Sequence, residues 1–526
     1  MPSPAGTPAN AAEERAIASL MSDPATYGAG ISDVEIIETH IARVFLAGDE
    51  AYKIKKRVCL PFLDFTTLEE RRRACAREIE INQPHAPDLY LGLATITRDA
   101  DGRLQLNGAG EIVDWAVHMH RFDQEALLAR YSERGPLSDD LCKSLATMAA
   151  SYHRGCAISL GLDGAQVIAP IVDQLTEALG STSDWSARAQ IFLDRLPLSF
   201  AHAMPRLTER GKSGAIRRCH GDLHLGNIVL MDGEPIPFDA LEFSERLATI
   251  DVLYDLAFLL MDLEFRGDRH GANVVLNAYV SAAPIDNEIE GLACLPLFLA
   301  CRAGIRAIVE VERMAQLTGQ AQEEQRENAE NHIGLAGKFL APLPPVLIAV
   351  GGLSGTGKST LAALLAPLIG ASPGALHLRS DVERKRLFGV PETQRLDRGH
   401  YRIGTAQRVY SILENKTYRT LRSGHAAIVD AVFAMPEERA VFEALARATG
   451  CTFVGLWLTA PEDMLIDRVE SRERDASDAD RRVVKEQLRY DLGDIRWAMV
   501  DASGSHEECL ENAKAALRDA GVRLEE

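Results

Sequence analysis

Three groups of residues in this 526-residue sequence have the types and spacing for phosphate chemistry. The first is Gly352-Leu-Ser-Gly-Thr-Gly357-Lys358-Ser359, which fits GxxxxGK[ST] and runs on into Thr360. The chemistry asks for these residue types. Glycines let backbone N–H groups wrap phosphates without Cβ clashes, and the start of a helix adds partial positive charge. Gly352, Ser354, Gly355, Thr356, Gly357, Lys358, Ser359 and Thr360 are therefore the expected nucleotide cradle. Lys358 is expected at the β- and γ-phosphates, and Ser359 on Mg²⁺. An apolar run, VLIAV, precedes the loop and LAALLAPLI follows it, the strand-to-helix context that the motif requires.

The second group is acidic and lies around that loop. Asp430 ends the apolar run AAIVDA, which suits a carboxylate that contacts Mg²⁺ directly or through water. Asp381 follows ALHLRS and opens the basic stretch DVERKRLF. In open α/β sheets ligands bind beyond the carboxyl ends of the strands, so Asp381 is placed to orient or deprotonate a substrate hydroxyl. The alternative is a helix N-cap, a position Asp also favours. Arg384 would lie one turn on, and Arg468 and Arg472, four apart, could stabilise a transferring phosphoryl group or simply face solvent.

The third group is the densest: Cys219-His220-Gly221-Asp222-Leu223-His224-Leu225-Gly226-Asn227-Ile228, then Ile236-Pro237-Phe238-Asp239-Ala240. Phosphoryl transfer needs one carboxylate on the acceptor hydroxyl, and an amide and a second carboxylate on the metal. Asp222 and Asn227 have the D-x-x-x-x-N spacing of a protein-kinase catalytic loop, and Asp239 follows an apolar strand run. If the segment were only a hairpin, Asp and Asn would merely form its turns.

These residues must be carried by two different scaffolds. Residues 33–57 read as short strands with a Gly48-Asp49 turn, and Thr67–Gln83 reads as a capped, charged helix. Residues 111–122 form another strand. Helices follow over 136–212, a β-rich island over 215–240, and helices again over 250–338. Pro342, Pro344 and Pro345 then break the chain before the buried run at 346–350. Beyond that point strand-like and helix-like runs alternate, as in a parallel α/β sheet. The expected division is a loose segment over 1–30, one domain over 31–340 and a second over 341–526.

With the motifs placed, two resemblances follow. Residues 346–526 resemble the small-molecule P-loop kinases, a group that holds gluconate kinase, zeta-toxin-like and chloramphenicol phosphotransferase-like enzymes. That likeness implies substrate contact by Asp381 and lid roles for Arg468 and Arg472. HGDLHLGNI with the downstream FDA looks like the aminoglycoside phosphotransferase and choline kinase branch of the protein-kinase-like superfamily. It implies that Asp222 is the catalytic base and that Asn227 and Asp239 bind Mg²⁺. It implies a strand lysine for the phosphates paired with a helical glutamate: Lys53 with Lys55 as alternative, and Glu78 with Glu80 as alternative. Asp255 would brace the catalytic loop, with Asp251 as rival, and Asp114–Val117 would lie near the adenine hinge. No G-x-G-x-x-G precedes Lys53, and Ala240 stands where a glycine is expected. The whole pattern resembles the bacterial bifunctional aminoglycoside phosphotransferase/ATP-binding proteins. The implied fold class is multidomain: a two-lobed α+β protein-kinase-like domain, then an α/β P-loop NTPase domain with a parallel sheet.

Composition bounds the remaining choices. A net charge of −19 disfavours nucleic acid and anionic membranes, which are gripped through Lys and Arg. Nine scattered cysteines without a CxxC pair suit reduced thiols. No signal peptide is legible and no stretch is expected to approach the roughly 20 apolar residues of a membrane span, so a cytoplasmic protein is expected. The expected activity is Mg²⁺- and ATP-dependent phosphorylation of a small-molecule hydroxyl at two separate nucleotide sites. The alternatives are a P-loop kinase with a ligand-sensing first domain, or a nucleotide-gated switch acting on a protein partner. The acceptor and the oligomeric state are not legible.

Overall fold

The computed structural model describes residues 8–60, 63–180, 187–283, 285, 287–314, 317–471 and 476–525. The chain divides into two compact units: Met1–Leu137, Met148–Leu160 and Ala215–Leu259 form one, and Ser138–Thr147, Gly161–Gly214 and Leu260–Glu526 form the other. The expected boundary at 340/341 falls inside the second unit.

The first unit is built on an antiparallel sheet. Its strands are β1 (Glu35–Glu38), β2 (Ala42–Ala47), β3 (Glu50–Lys55), β6 (Tyr90–Arg98), β7 (Leu104–Leu106) and β8 (Glu111–His120), with a small hairpin of β4 (Cys59–Leu60) and β5 (Leu63–Asp64) beside it. The order is β1-β2-β3-β8-β6-β7. Strand periodicity sorts β3 into two faces. Tyr52 and Ile54 pack with Ile17 and Met21 on one face. Ala51 packs with Cys75, Leu89, Tyr90 and Val117 on the other, and Lys53 and Lys55 share its parity. The helix Leu68–Asn82 covers that second face, with Thr67 as its N-cap as the sequence predicts.

The segment 1–30 is not loose where it is described. Pro8–Ser22 is a helix, and Met21 is fully buried against the sheet. The Pro, Ala and Gly content of the first dozen residues hid an apolar Ile17/Leu20/Met21 stripe at helical spacing.

The small strands that carry the acidic cluster follow: β9 (Ile216–Arg218), β10 (Ile228–Met231), β11 (Glu234–Pro237) and β12 (Thr249–Asp251), paired as β10-β11 and β12-β9. In the second unit the helices Gly164–Gly180, Ala187–Lys212, Leu295–Met314 and Gln320–Phe339 pack together. By length and apolarity alone the helical run Glu288–Met314 would span a bilayer, contrary to expectation, but 67% of its apolar window is buried inside the protein. Its sequence is apolar because it is a core helix.

The parallel sheet of the second unit has strands β13 (Val346–Gly352), β14 (Leu376–Arg379), β15 (Ala427–Asp430), β16 (Thr452–Thr459) and β17 (Ala498–Asp501), in the order β14-β15-β13-β16-β17. Four of these match the expected strand runs. The fifth, β17, is as short as β14 and β15; its apolar residues are Ala498, Met499 and Val500, and Trp497 just before it packs on Phe433 and Phe453. Strand β14 lies at the sheet edge, and side chains of the helix Arg269–Ala282 satisfy its outer side. Asn277 Oδ1 accepts the His377 N–H at 2.7 Å, while Asn277 and Asn273 both donate to the Ala375 carbonyl. Arg269 donates to the Pro367 carbonyl and to Ser372.

Truncating Met21 to alanine tests the N-terminal helix. A packed side chain in this position costs about 2–5 kcal/mol when removed, whereas a loose segment would cost nothing. The free energy of urea unfolding of the first unit decides between them.

Candidate functional site

In the first unit a buried carboxylate organises the segment that carries Asp222. Asp255 Oδ2 accepts the His220 N–H at 3.1 Å and Oδ1 accepts the Gly221 N–H at 2.9 Å, and His153 Nε2 lies 3.1 Å from Oδ2. The contacts to the His220 and Gly221 N–H groups are thus made by Asp255, while Asp251 accepts from the Leu253 N–H two residues on. His220 Nε2 donates to the Phe238 carbonyl at 3.0 Å, and its Nδ1 accepts from the Asp222 N–H at 3.3 Å. Burial pushes its pKa down, so it is held neutral as a structural link between the two acidic segments.

Asn227 Nδ2 donates to both the carbonyl and the carboxylate of Asp222, at 3.0 and 2.9 Å. That bond fixes Asp222 and turns the remaining amide oxygen of Asn227 to other partners. Asp239 sits at φ 59°, a left-handed conformation that is strained for a residue with a Cβ. Tyr90 Oη accepts its N–H and Asn82 Oδ1 accepts the next one, from Ala240. The strain therefore has specific partners that maintain it.

Lys53 bonds to Asp239 and, at 2.9 Å, to Glu78. Lys55 bonds to Glu78 at 2.6 Å and to Glu242. Both lysine alternatives thus converge on Glu78, and Lys53 is the one that reaches Asp239. Glu80 lies on the surface beside Arg77. Burial alone would raise the Glu78 pKa, but Lys53 and Lys55 overcome it and hold the carboxylate well below its usual range. Burial dominates at Glu242, which is pushed up despite Lys55. Asp114, expected near the adenine hinge, lies inside β8 in a buried ion pair with Arg71 at 2.7 Å, and β8 ends at His120. The connection before β2 is Thr39-His40-Ile41, without a glycine.

In the second unit the phosphate-loop glycines are required by geometry. Gly352 and Gly355 have φ of 140° and 90°, and a Cβ there would sit 2.7 Å from the Leu458 carbonyl oxygen and 2.5 Å from that of Leu465. The helix Lys358–Leu365 starts directly after the loop. Lys358 Nζ donates to the Leu353 carbonyl at 3.0 Å, and the Ser354 N–H donates to Gln487 Oε1 at 2.7 Å. Thr356 Oγ1 bonds to Leu353 O, so it shapes the loop. Thr356, Gly357 and Thr360 line a cavity of about 190 Å³ together with Arg468, Ser505 and His506. His506 opens the last helix and gave no sequence signal, because proximity to the loop arises only through the sheet order.

Ser359 Oγ donates to Asp430 Oδ2. Asp430 is buried, which by itself would raise its pKa, but His377, Lys358 and Arg379 bring it down to about 2. An ionised carboxylate beside a hydroxyl is a hard oxygen pair that suits Mg²⁺. The set Asp222, Asn227 and Asp239 offers the same donor chemistry in the first unit. Asp381 occupies the second position of the helix Ser380–Leu387, whose cap is Arg379, so it is not the N-cap. Burial raises its pKa, against the opposing effect of Arg384. Arg384 is buried, its Nε and Nη1 have no hydrogen-bond partner among the described residues, and it stacks over Tyr401 at 4.5 Å. Arg472 lies outside the described residues.

The converging lysines give a direct stability test. Removing Glu78 as Glu78→Ala leaves two buried ammonium groups without their shared partner and is expected to cost about 3–5 kcal/mol. Glu80→Ala is expected to stay within about 0.5 kcal/mol. Denaturant unfolding of the two variants checks the difference.

Comparison with known proteins agrees with this architecture. Residues 90–290 match the family described as "Phosphotransferase enzyme family", and residues 347–491 match the family described as "AAA domain". An uncharacterized protein of Mycobacterium tuberculosis is 31% identical over 504 residues, covering 93% of this chain and 96% of its own. An uncharacterized protein of Mycobacterium bovis matches to the same extent. Among solved structures, the GDP complex of wild-type aminoglycoside 2'-phosphotransferase-IIIa is 16% identical and covers 58% of this chain and 94% of that chain, with a TM-score of 0.36. A gluconokinase from Sinorhizobium meliloti 1021 is 20% identical and covers 33% of this chain and 93% of that chain, with a TM-score of 0.24. The chain belongs to the family of the mycobacterial proteins, and it is a phosphotransferase in which a kinase-like phosphotransferase region precedes a P-loop region of the AAA type.

Proposed function

We propose that the chain carries two separate Mg²⁺- and ATP-dependent sites, each of which phosphorylates a hydroxyl of a small molecule such as an amino sugar, a sugar or a related alcohol. The observation that supports this most is the convergence of Lys53, Glu78, Asp222, Asn227 and Asp239 in one unit, alongside a complete phosphate loop in the other.

At the first site Asp222 accepts the proton of the acceptor hydroxyl as its oxygen bonds to the γ-phosphorus and the bond to the β-phosphate oxygen breaks. Its link to Asn227 fixes the direction in which the carboxylate points. Asn227 and Asp239 would hold Mg²⁺, and Lys53 moves from Asp239 towards the phosphates of the bound nucleotide. At the second site the loop N–H groups and Lys358 grip the phosphates, Ser359 and Asp430 would hold Mg²⁺, and Asp381 orients or deprotonates the acceptor. The metal, when bound, neutralises charge on the transferring phosphoryl oxygens. Arg468, which faces the cradle cavity, and Arg472 are proposed to complete the cationic side. The free thiols of all nine cysteines accord with a reducing, cytoplasmic setting.

A second reading is kept because of one observation. The turn Thr39–Ile41 offers no glycine to cover phosphates. The first unit would then bind a ligand and regulate a catalytic P-loop.

Mg²⁺-dependent ATP consumption by the full chain against pooled amino sugars, sugars and small alcohols separates the two. Two active sites predict an acceptor whose turnover falls about 10²–10⁴-fold in Asp222→Ala and persists in Lys358→Ala. If all stimulated turnover is lost in Lys358→Ala and none in Asp222→Ala, the first unit is a sensor.

A further inference from the structure

The edge of the parallel sheet is completed by a side chain from another part of the second unit. A carboxamide carries the same donor and acceptor as a peptide group. Asn277 uses both at the start of β14: its Oδ1 accepts the His377 N–H at 2.7 Å and its Nδ2 donates, at 3.2 Å, to the carbonyl of Ala375 just before the strand. It occupies the place of a residue in an added strand, on a helix that belongs to the region matched by the phosphotransferase family. Asn273 supports it from one turn earlier, donating to the same carbonyl at 3.1 Å and accepting from Asn277.

The strand so fixed points His377 at the P-loop site. His377 Nε2 is buried, lies 3.5 Å from Asp430 Oδ2 and has no closer hydrogen-bond partner among the described residues. Ser359 Oγ donates to that same oxygen. In register, His377 and Ile428 are paired across β14 and β15, and Asp430 pairs with Arg379. A shift of the edge strand would therefore carry the imidazole away from the carboxylate.

We propose that Asn277 and His377 are positioning residues for the P-loop metal site, with the Asn277 carboxamide clamping β14 so that the imidazole N–H orients Asp430 towards Ser359. Helices outside the P-loop region thereby become a working part of its site. This rests on the reading of Ser359 and Asp430 as metal-holding residues. Neither Asn277 nor His377 touches the acceptor. Groups that orient a metal-binding carboxylate in this way typically change metal affinity about 10–100-fold when removed.

The test uses Mn²⁺ as the probe, with ADP at saturation, and reads the loss of the free-ion electron paramagnetic resonance signal. The full chain carries Asp239→Asn, so that the metal site proposed in the first unit does not contribute. His377→Phe is expected to weaken Mn²⁺ about 10-fold or more. His377→Gln, which retains a donor, is expected to recover most of the loss. Asn277→Leu is expected to weaken Mn²⁺ to a similar degree, and the double variant His377→Phe/Asn277→Leu no further than His377→Phe alone. Should Asn277→Leu not fold, Asn277→Asp keeps the acceptor for the His377 N–H and loses the donor, and it is expected to show a partial loss. Unchanged affinity in His377→Phe would overturn the orientation of Asp430. Unchanged affinity in the Asn277 variants, or fully additive losses in the double variant, would overturn the clamp. Absence of Mn²⁺ binding in the Asp239→Asn parent would overturn the Ser359–Asp430 metal reading itself, and the proposal with it.

Discussion

A carboxylate removed from water stays ionised only if cations or hydrogen-bond donors replace the lost hydration, and both candidate sites depend on meeting that demand. Glu78 is wholly buried and is met by two ammonium groups from one face of β3. Asp255 is wholly buried and is met by two backbone N–H groups and an imidazole. Asp430 is met by Ser359 and His377. Each of these fixes a piece of chain that carries a candidate reacting group: Lys53 on β3, the loop with Asp222, and the phosphate loop. The geometry of the sites is thus the consequence of how three charges are kept.

The same demand explains why unrelated segments are brought together. Asp239 can hold its left-handed backbone only while Tyr90 and Asn82 accept the N–H groups around it. Those residues come from the sheet and from the helix that also bears Glu78. In the second unit Gln487 reaches the Ser354 N–H from a distant helix, and Asn277 satisfies an exposed strand edge. Polar side chains here substitute for backbone partners that the local fold does not supply.

Much of this was legible in the sequence, and the parts that were not share a cause. Motifs with fixed spacing, the phosphate loop and the Asp222–Asn227 pair, depend on local geometry, so the chain alone displays them. Strand periodicity placed Lys53 and Lys55 on one face but could not choose between them. The structure shows why, since both meet Glu78. The helix over 8–22 was missed because its apolar stripe is short and lies beside a Pro- and Ala-rich stretch. The buried Arg71–Asp114 pair is likewise illegible in sequence, because it joins a helix to a strand 43 residues further on. Asn277, His377 and His506 carry no motif, because their proximity to the P-loop follows from sheet order and helix packing alone.

Two independent nucleotide sites in one chain, as proposed, can be counted. Equilibrium dialysis of the full chain against radiolabelled ADP with Mg²⁺ measures the stoichiometry directly. Two nucleotides per chain are expected, falling to one in Lys358→Ala and to one in Lys53→Ala. A single nucleotide per chain, abolished by Lys358→Ala and untouched by Lys53→Ala, would contradict the account.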